Sequence, residues 1–316
     1  MASMLTHVSH DVDDQAKSLA GWEQSYEQLG CGRFHGSAWQ LVMRDGVLLR
    51  ETTNRQLREQ VVPPRGHVVF ALPLSVQPGS VFAGRPLGRE SLMLLGGSAQ
   101  HDVTSAGELD IVGLSVNRSL LEAALAPAKL EWLERKMREH NVELPPETAA
   151  AIRQMLLAVC ADVEPRLDEL ADPQAEQELL ASTLTHAVML AMAAEKAGSA
   201  SSIPRRAESR LKVVKRAVEF MHANLEHDVG VPEICAAAFA SRRTLQYCFE
   251  EFMHTTPQAY LRALRLNAAR RALKARSSQP VSDLANTLGF ASASHFTRHY
   301  KLMFDELPSQ TLKLHC

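Results

Sequence analysis

The sequence predicts an α+β protein in two parts: a small antiparallel β-barrel with attached helices, then an all-α domain holding two helix-turn-helix units. Three observations predict it. Short strand-like runs punctuated by Gly, Pro and Asp fill residues 30–116, helical spacing takes over in 117–197, and the last third repeats one apolar skeleton twice. A chain of 316 residues is long enough for two domains that each bury a core.

The strand-like runs are Trp39 to Met43, GVLLRET, His67 to Leu74, SLMLLG and Leu109 to Val116. Regular short strands separated by turn residues suggest an antiparallel barrel or sandwich. After them come NRSLLEAALAP, the stretch from Pro146 to Leu170, and Ala175 to Ala197, all with apolar residues at helical spacing. The segment GSASSIPRRAESR is small, polar and broken by Pro204, which predicts a linker ending in a helix N-terminus. Residues 1–197 therefore form one domain, 198–206 the linker and 207–316 the second domain.

In that second domain the units run from Val231 to Phe252 and from Val281 to Phe304. Val231 aligns with Val281, Ile234 with Leu284, Leu245 with Phe296 and Phe249 with Tyr300. Each second helix buries an i, i+4 pair, which leaves the residues beside that pair outward. They are Arg242, Arg243, Gln246 and Tyr247 in the first unit, and Ser294, His295, Thr297 and Arg298 in the second. Arg matches guanine O6 and N7, Gln matches adenine N6 and N7, and hydroxyls suit base edges or phosphates. A lone helix-turn-helix pattern is a weak signal, since many helical hairpins share its spacing. Two in series point to double-stranded DNA.

Charge supports this division. From Arg205 onward the chain has 17 Lys plus Arg against 10 Asp plus Glu, leaving 17 against 26 for the preceding residues. A basic module attracts a polyanion, and the acidic remainder is expected to face away from it. Between the two units, Pro257 to Lys274 forms a helix whose Tyr260, Leu261, Leu264, Leu266 and Leu273 serve both neighbours, while Arg262, Arg270, Arg271 and Arg276 are expected to be solvated or phosphate-facing.

The stretch from Arg205 to Leu314 resembles the DNA-binding domain of the AraC/XylS transcriptional regulators. The matching text is SRRTLQ, PxxYLRALRL from Pro257 to Leu266, Ala269-Arg270, Gly289-Phe290, Ser294 to Lys301, and Leu307 to Leu312. The resemblance implies a cupin-like barrel as sensor, a seven-helix reader, a structural role for Arg265, a homodimer and recruitment of RNA polymerase. Phe239 stands where the family usually has Gly in the first turn, which predicts a different backbone route there because a bulky residue at positive φ is strained. His254 and Asp305 replace the usual Gly after each unit, and both tolerate the left-handed region better than most residues.

The N-terminal text is also similar to the branch of the family that includes the ethanolamine-utilisation regulator. That similarity implies an amine, alcohol or amino-acid-like effector and an activator of a catabolic operon. Barrel-lining candidates for the effector are Phe34, Trp39, Phe70, Phe82 and His101, although aromatics at strand spacing are more often plain core. The helix carrying Leu180, Leu184, Met189 and Met192 packs on its own barrel by default, and the resemblance makes it the dimer face.

The competing class is an enzyme fused to the same reader, such as a DNA-repair alkyltransferase. Cys31 lies four residues before His35, but the sequence has no Pro-Cys-His motif, zinc-type Cys cluster, nucleophile elbow or P-loop. No enzyme activity and no cofactor are expected. His35, His67 and His101 with Cys31 lack the close-spaced pairs of a metal site, so none is expected. Five scattered cysteines argue against a disulfide framework, and MASMLTHVSHDVDD lacks the apolar stretch of a secretory segment. No run is apolar for the roughly twenty residues of a membrane span. A bacterial cytoplasm, on the nucleoid, is the expected location.

Overall fold

The computed structural model describes residues 2–97, 99–195, 205–275 and 279–314. Most of the expected linker, residues 198–206, lies outside the described residues. Contacts divide the chain into two units, and the division does not follow the sequence order. The first holds Met1–Tyr26, His35–Asn54 and Glu59–Ser202, and the second holds Glu27–Phe34, Arg55–Arg58 and Ile203–Cys316.

The first unit opens with β1 (Ser3–Ser9), α1 (Val12–Gln15), β2 (Glu23–Gln28), β3 (Gly36–Val42), β4 (Gly46–Thr53), β5 (Leu57–Val62) and β6 (His67–Val76). It continues with β7 (Val81–Phe82), β8 (Arg85–Pro86), β9 (Ser91–Gly96), β10 (His101–Thr104) and β11 (Leu109–Asn117). Helices α2 (Arg118–Ala124) and α3 (Pro127–Met137), β12 (Asn141–Glu143), α4 (Pro146–Asp162) and α5 (Pro173–Glu195) complete it.

The strands build a seven-stranded sheet in the order β1-β3-β4-β11-β6-β9-β12 and a five-stranded sheet in the order β2-β5-β10-β7-β8. The α+β class and the strands foreseen in 39–116 are present, but the sheets are not closed into a barrel. Strands β1 and β12 lie on the two edges of the larger sheet, outside the region expected to be strand-rich. Edge strand β1 is mostly exposed, so its sequence has no need of the alternation that marks a half-buried strand.

Strand parity sorts the larger sheet into two faces. Leu41, Leu48, Phe70, Leu72, Leu94, Val112 and Leu114 share a buried cluster with Leu121, Trp132, Ile152, Leu156, Leu180 and Leu184 from the helices. Residues of opposite parity, Ala38, Val47 and Leu49, cluster with Leu19 and Trp22 on the other face. That face meets the smaller sheet, because the Tyr26 hydroxyl from β2 donates to Glu51 Oε1 on β4 at 2.8 Å. Helix α5 closes the opposite side so tightly that a Cβ on Gly46 would lie 2.6 Å from the Ser115 carbonyl oxygen and 2.9 Å from Leu180. Glu176 of α5 accepts the backbone N–H groups of Arg44 and Asp45 at that corner.

The second unit comprises α6 (Arg205–Ala223), α7 (Val231–Ala238), α8 (Arg242–Met253), α9 (Pro257–Lys274), α10 (Val281–Thr287), α11 (Ala293–Phe304) and α12 (Pro308–Leu314). Two short N-terminal segments complete it. Leu29 and Gly30 N–H groups donate to the Gln56 carbonyl, and Gly32 N–H donates to the carbonyls of Leu302 and Met303. Gln28 is caged: its N–H donates to Asn267 Oδ1, its carbonyl accepts from Asn267 Nδ2, and its side-chain amide donates to the Met303 carbonyl. Gln56 donates to the Met253 carbonyl, and Arg271 pairs with Glu27 at 3.0 Å. Arg270 pairs with Glu306 at 2.5 Å and lies over the Phe304 ring. Arg270 and Arg271 therefore brace the fold, contrary to the solvated or phosphate-facing role expected of them. Arg276 lies outside the described residues.

Asn267→Ala is expected to leave the buried N–H and carbonyl of Gln28 without their partner and to cost about 1–3 kcal/mol in urea unfolding of the full chain. A second outcome concerns pH. Burial, with Arg58 and Arg271 nearby, pushes the His222 imidazole down to about 4. An unfolded imidazole titrates near 6.5, so between those values the unfolded chain binds more protons. The stability from neutral His222 is complete above about pH 6.5 and is lost as pH falls toward 4. Calorimetry should show the melting temperature declining over this window, with a shallower decline in His222→Gln.

Candidate nucleic-acid interface

Each helix pair in the second unit is built by the same local chemistry. Leu245 and Phe249 of α8 and Phe296 and Tyr300 of α11 are fully buried, as the repeated skeleton predicts. Ser241 caps α8 by accepting the Thr244 N–H, and Ser292 caps α11 by accepting the His295 N–H. A side-chain oxygen at that position satisfies a free N–H of the first turn and fixes where the helix begins. Both recognition helices rest on α9. Ala263, Leu266, Ala269 and Leu273 of α9 share a core with Phe296, Tyr300 and Met303, and the Tyr260 ring meets Phe249 edge-on at 5.5 Å.

On α8, Arg242 and Arg243 are exposed, Tyr247 is 56% exposed and Gln246 is half-buried. Arg242 with Gln246, and Arg243 with Tyr247, are i, i+4 pairs that form two adjoining stripes along the helix. Gln246 donates to Glu250 at 2.8 Å. The Arg210 guanidinium lies 5.8 Å from the Tyr247 ring and is itself held bidentately by Glu251, which ties α6 to α8. On α11, Ser294 and Arg298 are exposed and one turn apart. Thr297 is half-buried, and so is His295, whose Nε2 lies 3.0 Å from His299 Nε2. Burial, then the neighbouring Arg262, His295 and Arg298, lower the His299 pKa. His295 helps line an open cleft of about 350 Å³ with Gly289, Phe290, Arg262 and Arg265.

Arg265 ties α9 to the loop that precedes α7 rather than reaching outward. Its guanidinium donates to the carbonyls of Leu225 and His227 at 3.1 and 2.7 Å. A Cβ on Gly289, at φ +69°, would lie 2.9 Å from that guanidinium, which explains Gly at this turn. Phe239 does not take the alternative backbone route expected of it. It adopts the left-handed conformation at φ 52° and ψ 45°, with its ring 83% exposed and 5.4 Å from the Arg216 guanidinium. The turn thus keeps its shape and carries the local strain. His254 and Asp305 adopt positive φ at the ends of α8 and α11.

The five effector candidates fall in different parts of the described structure. Trp39 and Phe70 lie in the layer between the larger sheet and the helices. Phe34 falls in the second unit, and Phe82 stacks on His101, which is held by the Gly96 carbonyl. His67 bonds Ser115, and His35 lies 3.3 Å from His10. Among the described residues no three His, Cys, Asp or Glu side chains gather as a metal site would need.

Two capped recognition helices braced on one connecting helix, with a formal excess of basic residues, define a tandem helix-turn-helix DNA-binding domain. A family model described as "Helix-turn-helix domain" matches residues 234–314. The chain is 36% identical over 87 residues to the HTH-type transcriptional regulator GbdR of Pseudomonas aeruginosa, covering 28% of this chain and 23% of that protein. It is 31% identical over 103 residues to the XylDLEGF operon transcriptional activator 2 of Pseudomonas putida, covering 32% of this chain and 66% of the relative. A solved AraC-type regulator domain from Chromobacterium violaceum is 31% identical, with 35% of this chain and 96% of that one covered and a TM-score of 0.32. The region of residues 234–314 belongs to the helix-turn-helix domains of AraC/XylS-type transcriptional regulators. The chain spans about a quarter of the length of GbdR, and the matched region is the reader domain.

The two turns give opposite expectations for stability. Phe239→Gly should raise the unfolding free energy by roughly 0.5–1 kcal/mol, the relief of left-handed strain less the added entropy of the unfolded chain. Gly289→Ala should lower it by about 1–2 kcal/mol, because a Cβ is strained at that φ and presses on an arginine pinned by two carbonyls. Thermal melts of the two variants check both.

Proposed function

We propose that the protein is a ligand-responsive transcriptional activator that reads double-stranded DNA with α8 and α11 and takes its signal from the N-terminal unit. The observation that carries this reading is the pair of exposed stripes on two helices fixed to one strut, α9. Arg242, Arg243, Gln246 and Tyr247 form the first reading face, and Ser294, His295, Thr297 and Arg298 the second. His295 packs partly into the cleft beside Arg265 and acts mainly by setting the pitch of α11. The effector is an amine, alcohol or amino-acid-like molecule. The output is recruitment of RNA polymerase to a catabolic operon in a bacterial cytoplasm. Among the described residues no helix is long and apolar enough to cross a membrane.

Activation rather than repression is supported by the Pseudomonas putida relative, an operon transcriptional activator. The chain works as a homodimer. Most of the apolar residues of α5 are spent on its own sheet, but Met189 is 48% exposed. Val159, Val163, Leu170 and Leu179 line an open groove of about 260 Å³. The fused-enzyme alternative has no observation in its favour, and the named relatives are regulators.

The test is binding-site selection from random duplexes followed by fluorescence anisotropy. Arg243→Ala and Arg298→Ala should each cost about 1–3 kcal/mol on the selected site and relax preference at one base position. Lys301→Ala, an exposed charge on α11, should weaken all sequences alike and flatten the salt dependence by about one ion. Equal loss on every sequence for Arg243→Ala would remove it from the base readers, and failure to enrich any sequence would overturn the reading.

A further inference from the structure

We propose that the face between the two sheets of the N-terminal unit is a binding site for a small organic cation, with Glu51 and Glu59 as its acidic pair. The proposal rests on the reading of this unit as the sensor and names the chemical class it senses. Glu51 on β4 accepts from Tyr26 and from Gln15 Nε2, each at 2.8 Å. Glu59 on β5 is only 4% exposed, and its Oε1 has no hydrogen-bond partner. Burial, and then the charge of Glu51, push the Glu59 pKa well above the carboxylate range, and burial raises Glu51 too.

A second observation is independent of the acids. Thr53, two residues from Glu51 and so on the same face of β4, is 4% exposed with its hydroxyl unpartnered. Gln24, two residues before Tyr26, donates to the Tyr26 hydroxyl at 2.9 Å while its Oε1 is left without a partner. Trp22, packed with Val47 and Leu49 on the same side of β4, has an unpartnered indole N–H. Buried polar groups are normally satisfied, and these unpartnered groups, on the strands and the face that carry the acidic pair, are suited to hold a hydrogen-bonding ligand.

The chemistry of these groups selects the occupant. A cation beside the two carboxyl groups favours their ionised form, so a bound positive charge offsets the cost of burying them. An indole N–H can only donate, so it cannot ligate a metal ion and needs an acceptor oxygen on the ligand. An ammonium compound carrying a hydroxyl or carbonyl group meets both demands. The strands that carry the pair also lead directly into the anchored segments of the second unit. Tyr26 is followed by Glu27 and Gln28, held by Arg271 and Asn267, and Glu59 is preceded by Arg58, beside His222.

The test uses the full-length protein in titration calorimetry and thermal melts. The probes are 2-aminoethanol against ethylene glycol, choline against its uncharged isostere 3,3-dimethylbutan-1-ol, and magnesium chloride alone. At least one ammonium compound should bind saturably and raise the melting temperature, with its uncharged isostere about tenfold weaker or more. Glu59→Gln should weaken the cation by about tenfold or more and erase the preference over the isostere. Absence of any ammonium binding, equal binding of the isostere, a response to magnesium alone, or unchanged discrimination in Glu59→Gln would each overturn the proposal. Should Glu59→Gln not fold, the wild-type comparison of charged and uncharged probes decides by itself. Anisotropy on the selected DNA with and without the bound amine keeps the two readings apart. Binding with no change in DNA affinity would sink the sensor reading and leave the cation site standing, and a response to uncharged probes only would do the reverse.

Discussion

The reader depends on the burial of one i, i+4 pair on each recognition helix against a shared strut. Leu245 and Phe249, and Phe296 and Tyr300, are fully enclosed, and α9 supplies much of the wall. Once those pairs are inside, the rotation of each helix about its axis is fixed, and the residues that face outward are no longer free to vary in direction. Arg265 and Gly289 refine the arrangement: a guanidinium pinned by two backbone carbonyls fills the space that a side chain at position 289 would need. Base reading requires such rigidity, because a bidentate contact tolerates little angular error.

The second unit is not a contiguous stretch of chain. Residues 27–34 and 55–58 complete it through backbone hydrogen bonds and through the caging of Gln28 by Asn267. Asn267 sits in the middle of a helix that looks self-sufficient from its apolar spacing, and a buried amide there has a structural explanation only once Gln28 is in place. The same geometry claims Arg271 for Glu27, while Arg270 is taken by Glu306. Two guanidiniums that would otherwise be available to phosphates are therefore spent inside the fold. The strands that carry Tyr26 and Glu59 run straight into these anchored segments, so a change at the inter-sheet face has a covalent route to the reader.

Among the described residues, the non-glycine positions with positive φ lie in turns and bends. Phe239 keeps the left-handed turn of the first helix pair although it lacks the freedom of glycine, and its ring is left largely in solvent near Arg216. The sequence pointed to a conflict at this position and to a change of route as the remedy. The packed helices on either side instead dictate the turn, and the side chain accepts the cost because nothing obstructs it.

The sequence by itself determined the helix pairs and the buried i, i+4 pair of each second helix, because a helix spaces its buried and exposed positions by a fixed local period. It also determined most strands of the larger sheet and the basic balance of the last third. The tertiary structure decided what local periodicity does not encode. In LREQVV, Glu59 is in phase with the buried Leu57 and Val61, and Glu51 is in phase with Val47 and Leu49, so an inward acid was legible at each. That the charge of Glu51 reaches Glu59, that Trp39 and Phe70 turn to the helices, and that residues 27–34 finish the reader all follow from pairings between distant segments. Parity says which residues share a face, and only the assembled sheets say what that face meets.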